Sequence, residues 1–386
     1  MKRITLLSLI SFVLLVSCKK DQKAAEEIQA PAPKHSITTS SFGVLPDGKA
    51  VTRYTLRNAN GTEMSVINYG GIITSLKSID KQGQFADIVL GYDSLSSYLK
   101  SSPFFGALIG RYGNRIAKGK FTLDGTSYKL VTNNNENHLH GGTQGFDKVF
   151  WNIEVLPDSA SLKLTYTSAD GEEGYPGTLN SEVIYTLTDA NELKIQYSAT
   201  TDKKTVVNLT QHTYFNLTGD ANQDILNHQL MLDALQYLPV DKTLIPTTEL
   251  KSVTGTPFDF STSTSIGSRI GQDDEQLKFG MGYDHCWILK PSDGKTLRKV
   301  AELYEPTSGR VVEVSTTEPG IQFYSGNFLD GTLVGKGGVV YTHRSGLCLE
   351  TQHYPDSPNQ STFPTTILNP GETYSTATVY TFLTKK

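Results

Sequence analysis

The chain has 386 residues, a formal net charge of −4 at pH 7 and only 19% charged residues. With no basic block in its body, that balance argues against a nucleic-acid partner. Gly, Thr, Ser, Asn and Tyr are plentiful, as in a β-rich, turn-rich chain with a large core.

The first residues read as a targeting segment. Lys2 and Arg3 precede an almost wholly apolar run over residues 4–16, broken by Thr5, Ser8 and Ser11. The run is too short to span a bilayer but suits a secretory signal. Leu14-Leu15-Val16-Ser17-Cys18 resembles a bacterial lipobox, so residues 1–17 are expected to be a lipoprotein signal peptide and Cys18 the lipidated first mature residue. An ordinary signal peptide with an incidental Cys is the alternative. Residues 18–36 are polar, carry two Pro and read as a flexible tether. Fully stretched, a tether of this length reaches roughly 60 Å. Lys19 and Lys20 follow the Cys where an Asp would favour inner-membrane retention. By resemblance to known sorting rules, this points to an outer-membrane anchor in the cell envelope, periplasmic or surface-facing. The membrane is then met only through the lipid on Cys18.

Residues 37–386 show no composition break and no clear repeat, and read as a single domain. Period-two patterns dominate. Phe121 and Leu123 lead through Asp124-Gly125 to Tyr128 and Leu130, a hairpin with a two-residue turn. Leu162, Leu164 and Tyr166 alternate with polar residues. Val183, Tyr185 and Leu187 do likewise and turn at Asp189-Ala190-Asn191 into Leu193, Ile195 and Tyr197. Leu303 passes through Glu305-Pro306-Thr307-Ser308-Gly309 to Val311 and Val312. Short helical turns are expected at 94–100 and 266–270. The expected fold is all-β, a large antiparallel β-sandwich or barrel with few short helices.

Several segments carry candidate chemistry. Gly110-Arg111-Tyr112-Gly113-Asn114-Arg115 offers two guanidiniums and an amide for a carboxylate, a phosphate or sugar hydroxyls, or is a surface loop. His138-Leu139-His140 places two imidazoles on one face if extended. No third ligand stands at a convincing spacing, so no metal site is assigned. Residues 206–217 pack Asn208, Gln211, His212, Tyr214 and Asn216 among apolar residues, which suggests a buried polar pocket. Gly280-Met281-Gly282 reads as a flexible lead into Asp284. Near the C-terminus an apolar run stops at Glu350 and a loop of Pro355, Asp356, Ser357, Pro358 and Asn359 follows. A carboxylate at a strand end is where a scaffold would place a base. Taken alone, Glu350 reads more readily as a solvated surface acid. No nucleophile elbow, P-loop or dinucleotide fingerprint is evident.

Together and in this order, these segments resemble the aldose 1-epimerase (mutarotase) family. The resemblance runs from Gly70-Gly71-Ile72-Ile73 through Gly91-Tyr92-Asp93, Gly110–Ile116, Asn137–Gly142, Gly174-Tyr175-Pro176-Gly177, residues 212–217, Tyr283-Asp284-His285 and residues 319–327 to the Glu350 segment. It implies a galactose mutarotase-like β-sandwich. It also implies Glu350 as general base, His212 as general acid, His140 near the ring-oxygen side, Asn114 and Arg115 on sugar hydroxyls, Asp284 as anchor and Gln322 as a binding amide. Thr213 and Trp287 depart from the commoner Ser and Phe.

That family interconverts the α and β anomers of aldoses such as D-glucose and D-galactose. One carboxylate and one imidazole suffice for such ring opening, so no cofactor is expected. The partner expected is a small-molecule aldose, with the chain a monomer or weak homodimer. A non-catalytic sugar-binding lipoprotein on the same fold is the main alternative. A glycoside hydrolase would want two carboxylates about the bond, which Glu350 and Asp284 could mimic. A hexose-6-phosphate epimerase would want a phosphate-binding basic cluster, and none is seen. Cys286 and Cys348 each sit two residues from an acid, so each shares a face with it if extended. They are expected to be buried free thiols rather than a disulfide, and near neighbours beneath the pocket if both acids line it.

Overall fold

The period-two runs become strands whose burial alternates residue by residue. Leu179–Leu187 buries Leu179, Ser181, Val183, Tyr185 and Leu187 and turns the residues between them outward. It pairs antiparallel with Glu192–Thr201, Leu187 facing Leu193. The computed structural model describes residues 35–158, 160–291 and 293–386. The expected signal peptide, Cys18 and most of the expected tether lie outside the described residues. The first strand, Ser36–Val44, begins on the last residue assigned to that tether.

Three sheets dominate, of nine, six and five strands. The nine-stranded sheet joins the middle of the chain to the last strand, Tyr374–Thr384, which lies between Glu192–Thr201 and Arg310–Thr316. The six-stranded sheet brings Asp284–Leu289, Gly320–Tyr324 and Leu347–Gln352 side by side. One contiguous apolar cluster spans both, with Tyr185, Leu193 and Phe382 from one and Trp287, Phe323 and Leu349 from the other. Two sheets sharing one core are a β-sandwich.

The turns follow their residues. Asp124 and Gly125 both have positive φ, 49° and 80°, as a two-residue type I′ hairpin turn requires. The Glu305 carboxylate accepts the backbone N–H of Thr307 and Ser308 and closes the next hairpin. Leu95–Lys100 is helical and Ile266–Ser268 is a 3-10 turn. A further helix, Glu275–Gly280, is not in the sequence reading. Asp274 caps it by accepting the N–H of Gln276 and Leu277. Gly280-Met281-Gly282 is therefore a helix end rather than a flexible lead, with Met281 left-handed at φ 54°.

Candidate active site

The three neighbouring strands of the six-stranded sheet form a grid. Gln322 faces Cys286 on one side and Glu350 on the other, and one step along Tyr324 faces Asp284 and Cys348. Side chains two residues apart share a face, so all six project from the same side of the sheet. The opposite side carries Trp287, Phe323 and Leu349 into the sandwich core. The acid at the strand end is not on the surface: Glu350 is 2% exposed. The solvated reading of that residue fails because its strand lies inside the sheet, between neighbours on both sides.

Thr210–His212 runs beside Leu347–Gln352, with Thr210 Oγ1 donating to the Thr351 carbonyl, and brings His212 Nε2 to 3.7 Å from Glu350 Oε1. The ring's other nitrogen, Nδ1, is 3.5 Å from Cys348 Sγ. Phe104 packs against both His140 and His212, with centroids 4.7 and 5.6 Å away. It holds a left-handed backbone at φ 66°, a strained state for a bulky residue. Sequence reasoning missed Phe104, since neither its neighbours nor its spacing sets it apart.

A second wall comes from two left-handed turns. Asn114 (φ 63°) and His140 (φ 49°) bond each other reciprocally. Asn114 N–H donates to His140 Nδ1 at 3.1 Å, and His140 N–H donates to the Asn114 carbonyl at 3.0 Å. Gly141 permits the fit: a Cβ there would meet the Gly110 carbonyl oxygen at 1.7 Å. The extended His138-Leu139-His140 geometry is thereby overturned. His138 turns away, bonding the Val131 carbonyl and the Tyr175 hydroxyl, each at 2.6 Å.

The two arginines also part company. Arg111 spends its guanidinium on Ser168 Oγ and on the carbonyls of Ser168, Ala169, Pro176 and Gly177. Arg115 instead reaches Asp284, Nη2 to Oδ2 3.8 Å, with both side chains buried. Gln322 Nε2 donates to Asp284 Oδ1 at 2.7 Å. The 355–359 loop holds this wall in place. Asp356 N–H donates to the Arg115 carbonyl at 2.8 Å, and Asp356 Oδ1 accepts the Ala117 N–H at 2.9 Å. Glu350 Oε2 and Gln322 Oε1 are buried without a hydrogen-bond partner. Such orphans are costly and mark where a polar ligand fits.

Burial sets the charges. It pushes the Glu350 carboxyl well above the usual carboxylate range; nearby Asp284 adds to this and Arg115 opposes it. Burial raises Asp284 too, against Arg115 and Gln322. It lowers His212 to about 4 and His140 well below its usual value, the latter helped by His212 and Arg115. Within the Glu350–His212 pair, burial thus favours a single proton on the carboxyl over one on the imidazole.

Ligand atoms of His140, His212 and Glu350 lie within 4.8 Å of one another, a spacing that would suit a cation. The tautomer argues otherwise. With His140 Nδ1 accepting a backbone N–H, the neutral ring carries its proton on Nε2, and an N–H cannot coordinate a metal. The cysteines are both free and buried, as expected, but they are not neighbours. Two strand steps and one row separate them, roughly 12 Å between Cα atoms. A disulfide needs less than about 7 Å.

An open groove lies away from this site. A groove of about 860 Å³ runs past Leu235, Leu250, Pro291, Tyr354 and Tyr374, and none of the predicted site residues lines it.

Residues 52–381 match the family model described as aldose 1-epimerase. The chain belongs to the aldose 1-epimerase family. It is 47% identical to galactose mutarotase from Bos taurus over 347 residues, covering 90% of this chain and 98% of the relative. It is 41% identical to aldose 1-epimerase from Escherichia coli K12, covering 88% and 97%. Its fold matches the crystal structure of galactose 1-epimerase from Lactobacillus acidophilus with a TM-score of 0.80 at 28% identity, covering 92% of this chain and all of the other. The all-β sandwich expected from alternation is therefore the fold of this epimerase family.

Proposed function

We propose that the chain interconverts the α and β anomers of a free aldose of the glucose or galactose type, with Glu350 and His212 as the proton-transfer pair. The observation that carries this is their 3.7 Å separation in a buried, polar pocket. In ring opening, ionised Glu350 takes the proton from the C1 hydroxyl and protonated His212 gives one to the ring oxygen. The C1–O5 bond breaks and the pair is left as a carboxylic acid and a neutral imidazole. Rotation about C1–C2 presents the other carbonyl face. In reclosure Glu350 returns its proton to O1 and His212 takes the one on O5. One proton serves both halves, and each group ends as it began.

Burial favours the state that follows opening, with the proton on Glu350. The sugar must therefore help move it to His212. A hydroxyl donating to Glu350 Oε2 would do so by favouring the carboxylate, and Gln322 Oε1 offers a second unpartnered acceptor to hold the sugar. Asp284 and Arg115 serve as acceptor and donor for further hydroxyls, Asn114 shapes the wall, and His140 donates from Nε2. No step calls for a redox centre or an electron sink.

Polarimetry on freshly dissolved α-D-galactose and α-D-glucose tests the reading. Wild type should speed equilibration, and Glu350→Gln should lose about 10²–10⁴-fold in kcat. Equal rates for the two would refute it. Tight aldose binding with no rate enhancement would favour the non-catalytic alternative.

We also propose a lipid anchor at Cys18 and a place in the cell envelope, resting on the lipobox-like segment and the polar residues after it. Radiolabelled palmitate should label wild type and not Cys18→Ser.

A further inference from the structure

We propose that Cys348 is a positioning residue for His212, its thiol deciding which ring nitrogen carries the proton. The inference rests on the reading of His212 as the acid and deepens it.

The geometry is unusual in its economy. Cys348 and Glu350 are two residues apart on one strand and project from the same face. The His212 ring lies along that strand and spans them. Its Nδ1 is 3.5 Å from Cys348 Sγ and its Nε2 is 3.7 Å from Glu350 Oε1. Both side chains are buried, Cys348 completely. Tyr214, whose ring packs 5.1 Å from that of His212, faces Cys348 on the adjacent strand and closes the site from the side.

A thiol is both a weak donor and a weak acceptor. While His212 is neutral, Nδ1–H donates to the sulfur, which leaves the Nε2 lone pair free toward Glu350 and the sugar. When His212 becomes imidazolium, the Nδ1–H bond to sulfur stays and the added proton sits on Nε2. The same partner therefore serves both protonation states. A carboxylate in its place would bond only to Nδ1–H. It would hold the imidazolium as a stable cation and weaken the acid that must protonate the ring oxygen. A thiol orients the ring without that penalty, so His212 stays a strong acid.

Two substitutions separate orientation from packing. Cys348→Val is apolar and somewhat larger and cannot hydrogen-bond; Cys348→Ser is smaller but keeps the donor and acceptor. Long-range ¹H–¹⁵N spectra of histidine-labelled protein, without sugar, read the tautomer directly. Wild type and Cys348→Ser should show neutral His212 protonated at Nδ1, and Cys348→Val should shift population to Nε2–H. Initial rates on α-D-galactose should fall about tenfold or more in kcat for Cys348→Val, with KM within about twofold, and recover most of the way in Cys348→Ser. An Nδ1–H tautomer retained in Cys348→Val, or full kcat in that variant, would overturn the proposal. So would a Cys348→Ser enzyme that is no better than Cys348→Val, since packing alone would then account for both. Glu350→Gln on the unaltered Cys348 background keeps the two failures apart: if it stays fully active, the acid–base reading falls while the spectrum still reports on the thiol.

Discussion

Asp284 raises the cost of ionising Glu350, although the two sit on strands separated by a third. Gln322 stands between them, donating to Asp284 Oδ1 at 2.7 Å and facing Glu350 across the next strand pair. The two acids are thus coupled through space in a buried site, with Arg115 offsetting part of their repulsion.

Replacing Asp284 by Asn removes the anion that raises Glu350 and leaves the Arg115 charge without its carboxylate partner. Both changes favour the ionised form, so the Glu350 pKa falls. The alkaline limb of kcat/KM should move to lower pH, and KM should rise as a hydroxyl acceptor becomes an amide. A full pH–rate profile of Asp284→Asn checks both. An unmoved alkaline limb would contradict the coupling.

The wild-type profile should be a broad bell. The working pair holds one proton. Below about 4, where His212 is protonated, both groups hold a proton and the base is lost. Above the raised Glu350 value the pair is empty and the acid is lost. The alkaline limb should therefore lie well above the ordinary carboxylate range. A limb near the usual pKa of Glu would place that carboxyl in water, against its burial.

Arg111 should matter for stability rather than for sugar affinity. Arg111→Met keeps length and apolar packing but strands four backbone carbonyls that now accept from the guanidinium. The expected loss is about 3–5 kcal/mol, read from urea unfolding midpoints. Near-native KM in the folded fraction would separate it from Arg115, whose replacement should raise KM.

Strand alternation and the hairpin at Asp124-Gly125 were legible in the chain because each rests on local chemistry. The helix at Glu275–Gly280 was signalled by Asp274 three residues before Leu277, but six residues are too few for an apolar period to stand out. Burial of Glu350 was not legible, since it depends on strands joined from distant parts of the chain. His140 was misplaced relative to His138 because a non-glycine left-handed turn leaves no mark in the residue string. Arg111 and Arg115 look equivalent in sequence; only the neighbouring carbonyls around 168–177 decide between them.

The pocket has a floor and a wall of different origin. Glu350, Gln322 and Asp284 stand on hydrogen-bonded strands, where a one-residue slip of register would turn all of them into the sandwich core. Asn114, Arg115 and His140 hang from left-handed turns tied together by a few bonds. Variation that retunes sugar preference should therefore collect on the wall, where a turn can change without unseating a sheet. The proton-transfer floor is held by every strand pairing beneath it, and a drift there would cost the fold before it altered the substrate.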